Sequence, residues 1–194
     1  MLDRVRQVSI LVEDLEQAIT NYENIFGLKV YQRHEIQEYG LIGAIFPLET
    51  TVLELLQPVD PESSAGRYLE KRGEGFYLLG METTDMDGAK NHLEKHNIRI
   101  TATVNQPTHT QMWLHPNDLN GVFMQLDHVI GGDNPWPNGG ETWQTAPQSS
   151  IVKDIRQVVY IVKDMDHALK KAEDLYGLKP TNRIELHGVD AAYM

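Results

Sequence analysis

The chain has 194 residues, a formal net charge of -11 and no cysteine. An acidic balance argues against general nucleic-acid binding, and the lack of cysteine excludes disulfides, thiolate nucleophiles and cysteine-based zinc sites. No apolar run approaches the roughly 18 residues of a membrane span, and the opening MLDRVRQVSILVEDLEQ alternates and turns acidic too early for a signal peptide, so a cytoplasmic protein is expected.

The first predicted element is a strand over 5–12, rich in β-branched residues. Asp14 then offers an N-cap, with Gln17 at the capping-box position. Leu15, Ala18, Ile19, Tyr22 and Phe26 recur at helical spacing on one face, and Gly27 ends the helix. Three further strands follow over 28–36, 41–47 and 51–57. A second copy begins at FYLLGMETTDMDGAKNHLEKHNI, residues 76–98, which matches the first at an offset of 71. Its later strands are expected over 100–104, 111–115 and 122–128. Residues 131–153 are rich in Gly, Pro, Asn and Ser and read as a linker.

A third copy follows. RQVSILVEDLEQAITNYENIFGLKVYQRHEI, residues 6–36, aligns without a gap on residues 156–186, with 12 identities in 31 positions. HGVDAAYM at 187–194 then matches YGLIGAIF at 39–46 after a two-residue deletion. The expected architecture is therefore α+β: paired β-α-β-β-β modules over 1–130 and an incomplete third module over 154–194. An incomplete sheet leaves an open edge. Either the natural chain is longer, or the third module leans on the first two or on another chain.

Three segments carry a resemblance: VEDLEQAITNYENIFGLKV, LELLQPVDPESSAGRYLEKRGEG and LHPNDLNGVFMQL. They are similar to the vicinal oxygen chelate (glyoxalase/bleomycin resistance/dioxygenase) superfamily, and within it to the methylmalonyl-CoA epimerase and glyoxalase I families. The first segment is shared by members with many chemistries; the other two are more specific. The resemblance implies a curved, cup-like sheet built from the two modules, with the ligand in the cup. It also implies a divalent metal at the cup floor, held by one residue each from the first and fourth strands of both modules, acting as a Lewis acid.

Strand alternation tests those four positions. Gln7, Ser9 and Leu11 share the cup face, while Val8, Ile10 and Val12 face the helix. The first slot falls on Gln7, where the epimerases have His and glyoxalase I has Gln. The second falls on Glu54, as in glyoxalase I. The third falls on Leu78, where both families have His; leucine has no donor atom, and its neighbour Tyr77 is expected on the opposite face. The fourth falls on Gln125 in place of Glu, and an amide cannot remove a proton from carbon at neutral pH. Asp127 shares its face and either deputises or is a paired strand-end acid. Gln7, Glu54 and Gln125 are the metal candidates, but a tight site needs three or four protein ligands, and this donor set argues against one. The resemblance further implies a second acid before the third strand, which falls on Glu38.

The catalytic candidates are therefore Glu54 and Glu38, and the ligand-binding candidates Gln7, Ser9, Leu78 and Gln125. His92 and His96 sit i, i+4 on a helix, a zinc spacing that lacks a third ligand. His34, His109 and His128 are placed at the cup or its rim, and His115 is a structural candidate. Arg67, Lys71 and Arg72 could meet a CoA phosphate or lie on a solvated helix face. Three functions follow. The first is a lyase- or isomerase-type enzyme acting on a small carbonyl, acyl-thioester or oxygenated aromatic molecule. The second is a metal-free sequestering protein. The third places the chemistry in a second cup completed beside the third module. The expected partners are a small-molecule ligand and a second copy in a homodimer.

Overall fold

In the computed structural model, residues 2–130, 145, 146, 149 and 151–194 are described. Most of the stretch read as a linker, 131–153, lies outside the described residues. The first unit comprises β1 (Arg4–Leu11), α1 (Leu15–Phe26), β2 (Gln32–Ile36), β3 (Leu41–Pro47) and β4 (Val52–Pro58). After α2 (Ser64–Arg72) the second comprises β5 (Gly75–Glu82), α3 (Met86–Lys95), β6 (Ile100–Asn105), β7 (His109–Leu114) and β8 (Phe123–Val129). A third region holds α4 (Met165–Tyr176), β9 (Asn182–Leu186) and β10 (Val189–Tyr193).

Local chemistry repeats between copies. The Asp14 carboxylate accepts from the Gln17 N–H at 2.9 Å, and Gly27 closes α1 with φ of 63°. In α4, Asp164 accepts from His167 N–H at 2.9 Å and Gly177 has φ of 68°. Each cap satisfies a backbone donor that the helix cannot. The Arg33 guanidinium grips Glu16, and Arg183 binds Asp166 in the same relative place.

The first two units merge into one strongly curled sheet of order β2-β3-β4-β1-β5-β8-β7-β6. β1 runs parallel to β4 and antiparallel to β5, and β5 runs parallel to β8. The units therefore meet along the β1–β5 pair. One face of the sheet packs on the helices: Val8, Phe46, Leu55, Leu79, Met112 and Leu126 form a continuous core with Leu15 and Ile19 of α1 and Ala89 and Leu93 of α3. Burying each of the larger side chains contributes about 1.5–3 kcal/mol.

The concave face is closed at both ends. At one end Val129 of β8 packs on Ile45 and Val52, from the far side of the sheet. At the other, Ala65, Tyr68 and Leu69 of α2 pack with Leu11, Leu41 and Leu56. Tyr77 joins this second cluster and meets the rings of Tyr68 and Phe123, each with centroids 5.4 Å apart. This corrects the expectation that Tyr77 faces the helices. The register shifts between Ser9 and Ile10, so that Ser9 pairs with Leu78 and Ile10 with Phe76. The bulge leaves Tyr77 unpaired and re-aims it into the cup, as bulges do.

In the third region Leu175 of α4 enters the main core, and Lys171 donates to Asp118 O at 2.7 Å. β9 and β10 pair only with each other. Residues 152–163, which repeat the β1 sequence, form no strand. β1 is held between β4 and β5, and a strand needs such neighbours to satisfy its backbone; no counterpart lies beside 152–163 among the described residues. This segment instead packs Val152, Ile155 and Val158 on the core and leaves Val159 and Ile161 74% and 99% exposed. It is also tied to the β3–β4 turn, where Asp154 accepts from the Thr50 and Thr51 hydroxyls. No helix among the described residues is long and apolar enough to cross a membrane.

Candidate functional site

The register brings three of the sequence candidates together. Gln7 pairs with Val52 and Ser9 with Glu54 along β1–β4, so Gln7, Ser9 and Glu54 all point into the cup. Gln7 Nε2 donates to Glu54 Oε2 at 2.8 Å and to Ser9 Oγ at 3.0 Å, and the Ser9 hydroxyl donates to the same Oε2 at 2.5 Å. The other carboxylate oxygen faces His34, whose Nε2 lies 3.0 Å from Oε1. Gln7, Ser9 and Glu54 are buried, and His34 is 20% exposed at the rim.

His34 belongs to the edge strand β2, two strands from Glu54. It reaches across because Gly43 stands opposite it on β3. A Cβ on Gly43 would lie 2.7 Å from the ring atoms Cε1 and Nε2 of His34. A lone glycine inside a strand often marks a close approach, and LIGAIFP carried that signal in the sequence. Only the β2–β3–β4 register says what approaches, so His34 could be placed at the cup but not joined to Glu54.

The opposite wall has its own polar group. Gln125 of β8 donates to both oxygens of Asp127, at 2.8 and 2.9 Å, and Gln111 of β7 donates to Oδ1 at 2.8 Å. Asp127 is fully buried. Burial pushes its carboxyl up to about 7, against the pull of the Gln125 and Gln111 hydrogen bonds. Glu82, its ladder neighbour on β5, pushes in the same direction as burial. Glu82 is itself paired with Arg4 at 2.6 Å and approached by Arg6 at 3.7 Å. Between the two walls β5 presents Leu78, opposite Ser9 and Phe123, and Gly80, opposite Gln7 and Gln125. Both lack a polar side chain, so β5 separates the Glu54 group from the Asp127 group.

Glu38 is not drawn into either group. It is exposed on the 3-10 turn Gln37–Tyr39 between β2 and β3. His92 of α3 and His96, its C-cap, lie with tilted rings and centroids 4.5 Å apart, and His92 Nε2 lies 3.1 Å from Asp174 O, outside the cup. His115 caps the turn Pro116–Asp118 by accepting from Asn117 N–H, a structural role. His128 Nδ1 lies 3.0 Å from Thr83 O. His109 sits on β7; burial lowers its imidazole below the ordinary value, and its hydrogen bond to Gln111 opposes that. Arg67 donates to Glu62 O, while Lys71 and Arg72 are exposed in the last turn of α2 beside the aromatic end of the cup.

The donor set does not fit a tight divalent site. Both oxygens of Glu54 already face donors, Gln7 presents its N–H to the carboxylate, Leu78 offers nothing, and Gln125 is committed to Asp127. Among the described residues no group of three or more His, Asp or Glu side chains is placed to hold a metal ion. What the arrangement offers is one buried carboxylate in a cage of three hydrogen-bond donors, facing a second acid across an apolar strip.

Comparison with known proteins agrees with this architecture. Residues 6–112 match the profile of the Glyoxalase/Bleomycin resistance protein/Dioxygenase superfamily. The mitochondrial methylmalonyl-CoA epimerase of Homo sapiens is 32% identical over 132 residues, which cover 66% of this chain and 75% of that protein. An ethylmalonyl-CoA/methylmalonyl-CoA epimerase of Cereibacter sphaeroides is 28% identical over 134 residues, 66% of this chain and 100% of that one. Among solved structures, a Streptomyces coelicolor methylmalonyl-CoA epimerase in complex with 2-nitronate-propionyl-CoA superposes with a TM-score of 0.62 at 24% identity, covering 70% of this chain and 100% of that chain. That likeness concerns the fold.

Proposed function

The chain belongs to the glyoxalase/bleomycin resistance protein/dioxygenase superfamily, and from that premise we propose that its cup binds a small acyl thioester and removes the proton alpha to the carbonyl. The observation that carries the reading is the caged Glu54 carboxylate at the middle of the cup. Glu54 takes the proton, forming an O–H bond on its carboxyl; the C–H electron pair becomes a carbon–carbon double bond, and the carbonyl π pair moves onto the carbonyl oxygen of the thioester as an enolate. Return of the proton to carbon gives an isomerase-type outcome, and loss of a β-leaving group gives a lyase-type one. Lys71 and Arg72, exposed in the last turn of α2, suit a phosphate-bearing tail. The epimerase relatives, whose names and ligands are acyl-CoA, support this substrate class.

Incubation with methylmalonyl-CoA or propionyl-CoA in D2O, followed by mass spectrometry of the α-carbon, tests the reading. Deuterium uptake is expected, and Glu54→Gln should slow it about a hundredfold or more, the scale of a general base, with the fold retained. If no acyl-CoA exchanges its α-proton or raises the melting temperature, the proposal fails. A second reading, sequestration without turnover, is favoured by one observation: both oxygens of Glu54 and both of Asp127 already face a donor. Tight binding with no deuterium uptake supports it.

A further inference from the structure

We propose that His34 fills the place on Glu54 that a divalent cation would take, so that this cup holds its ligand without a metal. The inference rests on the reading of the cup as the ligand site. A buried carboxylate is costly unless its lone pairs are engaged, and a cation or a set of N–H and O–H donors can engage them. Here the donors do so from both sides. Ser9 and Gln7 converge on Oε2 and His34 closes on Oε1. A cation approaching Glu54 from the cup would have to displace the imidazole or turn the Gln7 amide round.

The path that His34 follows is built into the sheet. On β2 it pairs with Gly43, and Gly43 pairs with Leu56 on β4. The ring lies over the glycine so closely that a methyl group there would sit 2.7 Å from two ring atoms and 2.9 Å from Leu56 Cδ2. Any other residue at 43 pushes the ring off its line to Glu54. The far wall matches this arrangement: Leu78 and Gly80 supply no ligand atom, and the Gln125 amide is spent on Asp127. Loss of ligands on one wall and gain of a caging imidazole on the other are two separate features with one consequence.

Cobalt titration of the chelator-treated protein tests this, read by visible absorption and calorimetry. The wild-type chain should show no stoichiometric Co2+ uptake at micromolar concentrations. The triple variant His34→Ala, Leu78→His and Gln125→Glu should acquire the d–d bands of a bound ion, and equal uptake by the double variant that keeps His34 overturns the part given to the imidazole. Stoichiometric uptake by the wild-type protein that is lost in Glu54→Gln overturns the proposal. The His34 cage is tested by a thermal double-mutant cycle. His34→Ala should lower Tm in the wild-type background, and that loss should shrink by at least half in the Glu54→Gln background; an equal loss in both overturns the cage. Gly43→Ala should reproduce the His34→Ala shift in a chain that keeps its imidazole, and an unchanged Tm counts against the device. None of these readouts uses turnover, so a cup that fails to exchange an α-proton sinks the proposed function and leaves this result standing, and the reverse also holds.

Discussion

At the scale of single residues, Asp127 makes a prediction about pH. Its carboxyl is pushed from the ordinary 3.8 up to about 7, chiefly by burial. The folded chain therefore keeps a proton that the unfolded chain releases. Stability falls as pH rises from about 4 to about 7, and the loss is complete above that window. The cost is on the order of a few kcal/mol. Asp127→Asn should flatten this part of the profile, as read by urea unfolding at stepped pH; an unchanged slope means the acid is already ionised. Gly80 makes a steric prediction. A Cβ there would lie 2.8 Å from the Gln7 Cβ, an atom fixed to the backbone, so Gly80→Ala should cost about 1–3 kcal/mol by overpacking in thermal unfolding. Gln7, Ser9, Glu54 and Gln125 were legible as cup residues, because alternation along a strand needs no knowledge of its neighbours. His34 on Glu54 and Tyr77 in the cup were not. The first depends on a register across three strands and the second on a bulge.

At the scale of elements, caps and helix faces were readable and strand formation was only partly so. Asp14 and Gly27 stand where the sequence puts them, and Asp164 and Gly177 hold the same places in α4. Asp14→Ala should cost about 1 kcal/mol, measured by chemical denaturation. Residues 156–162 carry the same β-branched pattern as β1 yet form no strand, since a pattern states a preference and only a hydrogen-bonded neighbour satisfies it. Their contribution is accordingly uneven. Ile161→Ser should change stability by less than about 0.5 kcal/mol, as expected of an exposed site, whereas Leu175→Ala on α4 should cost about 2–4 kcal/mol by leaving a cavity in the main core. Equal effects of the two substitutions would show that α4 does not share that core.

At the scale of the whole molecule, the repeat offset of 71 foretold two like units, and the structure fuses them into one sheet. The closure of that sheet was out of reach of the sequence, because Val129 on Ile45 and Val52 is a contact between distant strands that share no motif. The β1–β5 seam carries a further consequence, for the order of assembly. Gln7 sits beside Val52 on one side and Gly80 on the other. As the chain leaves the ribosome, its first strand thus waits with one edge bare until the second unit has been synthesised. Pairings so far apart in sequence slow folding and expose the nascent chain to wrong partners. The two units should accordingly melt together in a single calorimetric transition, and a nascent chain halted before β5 should remain open to protease.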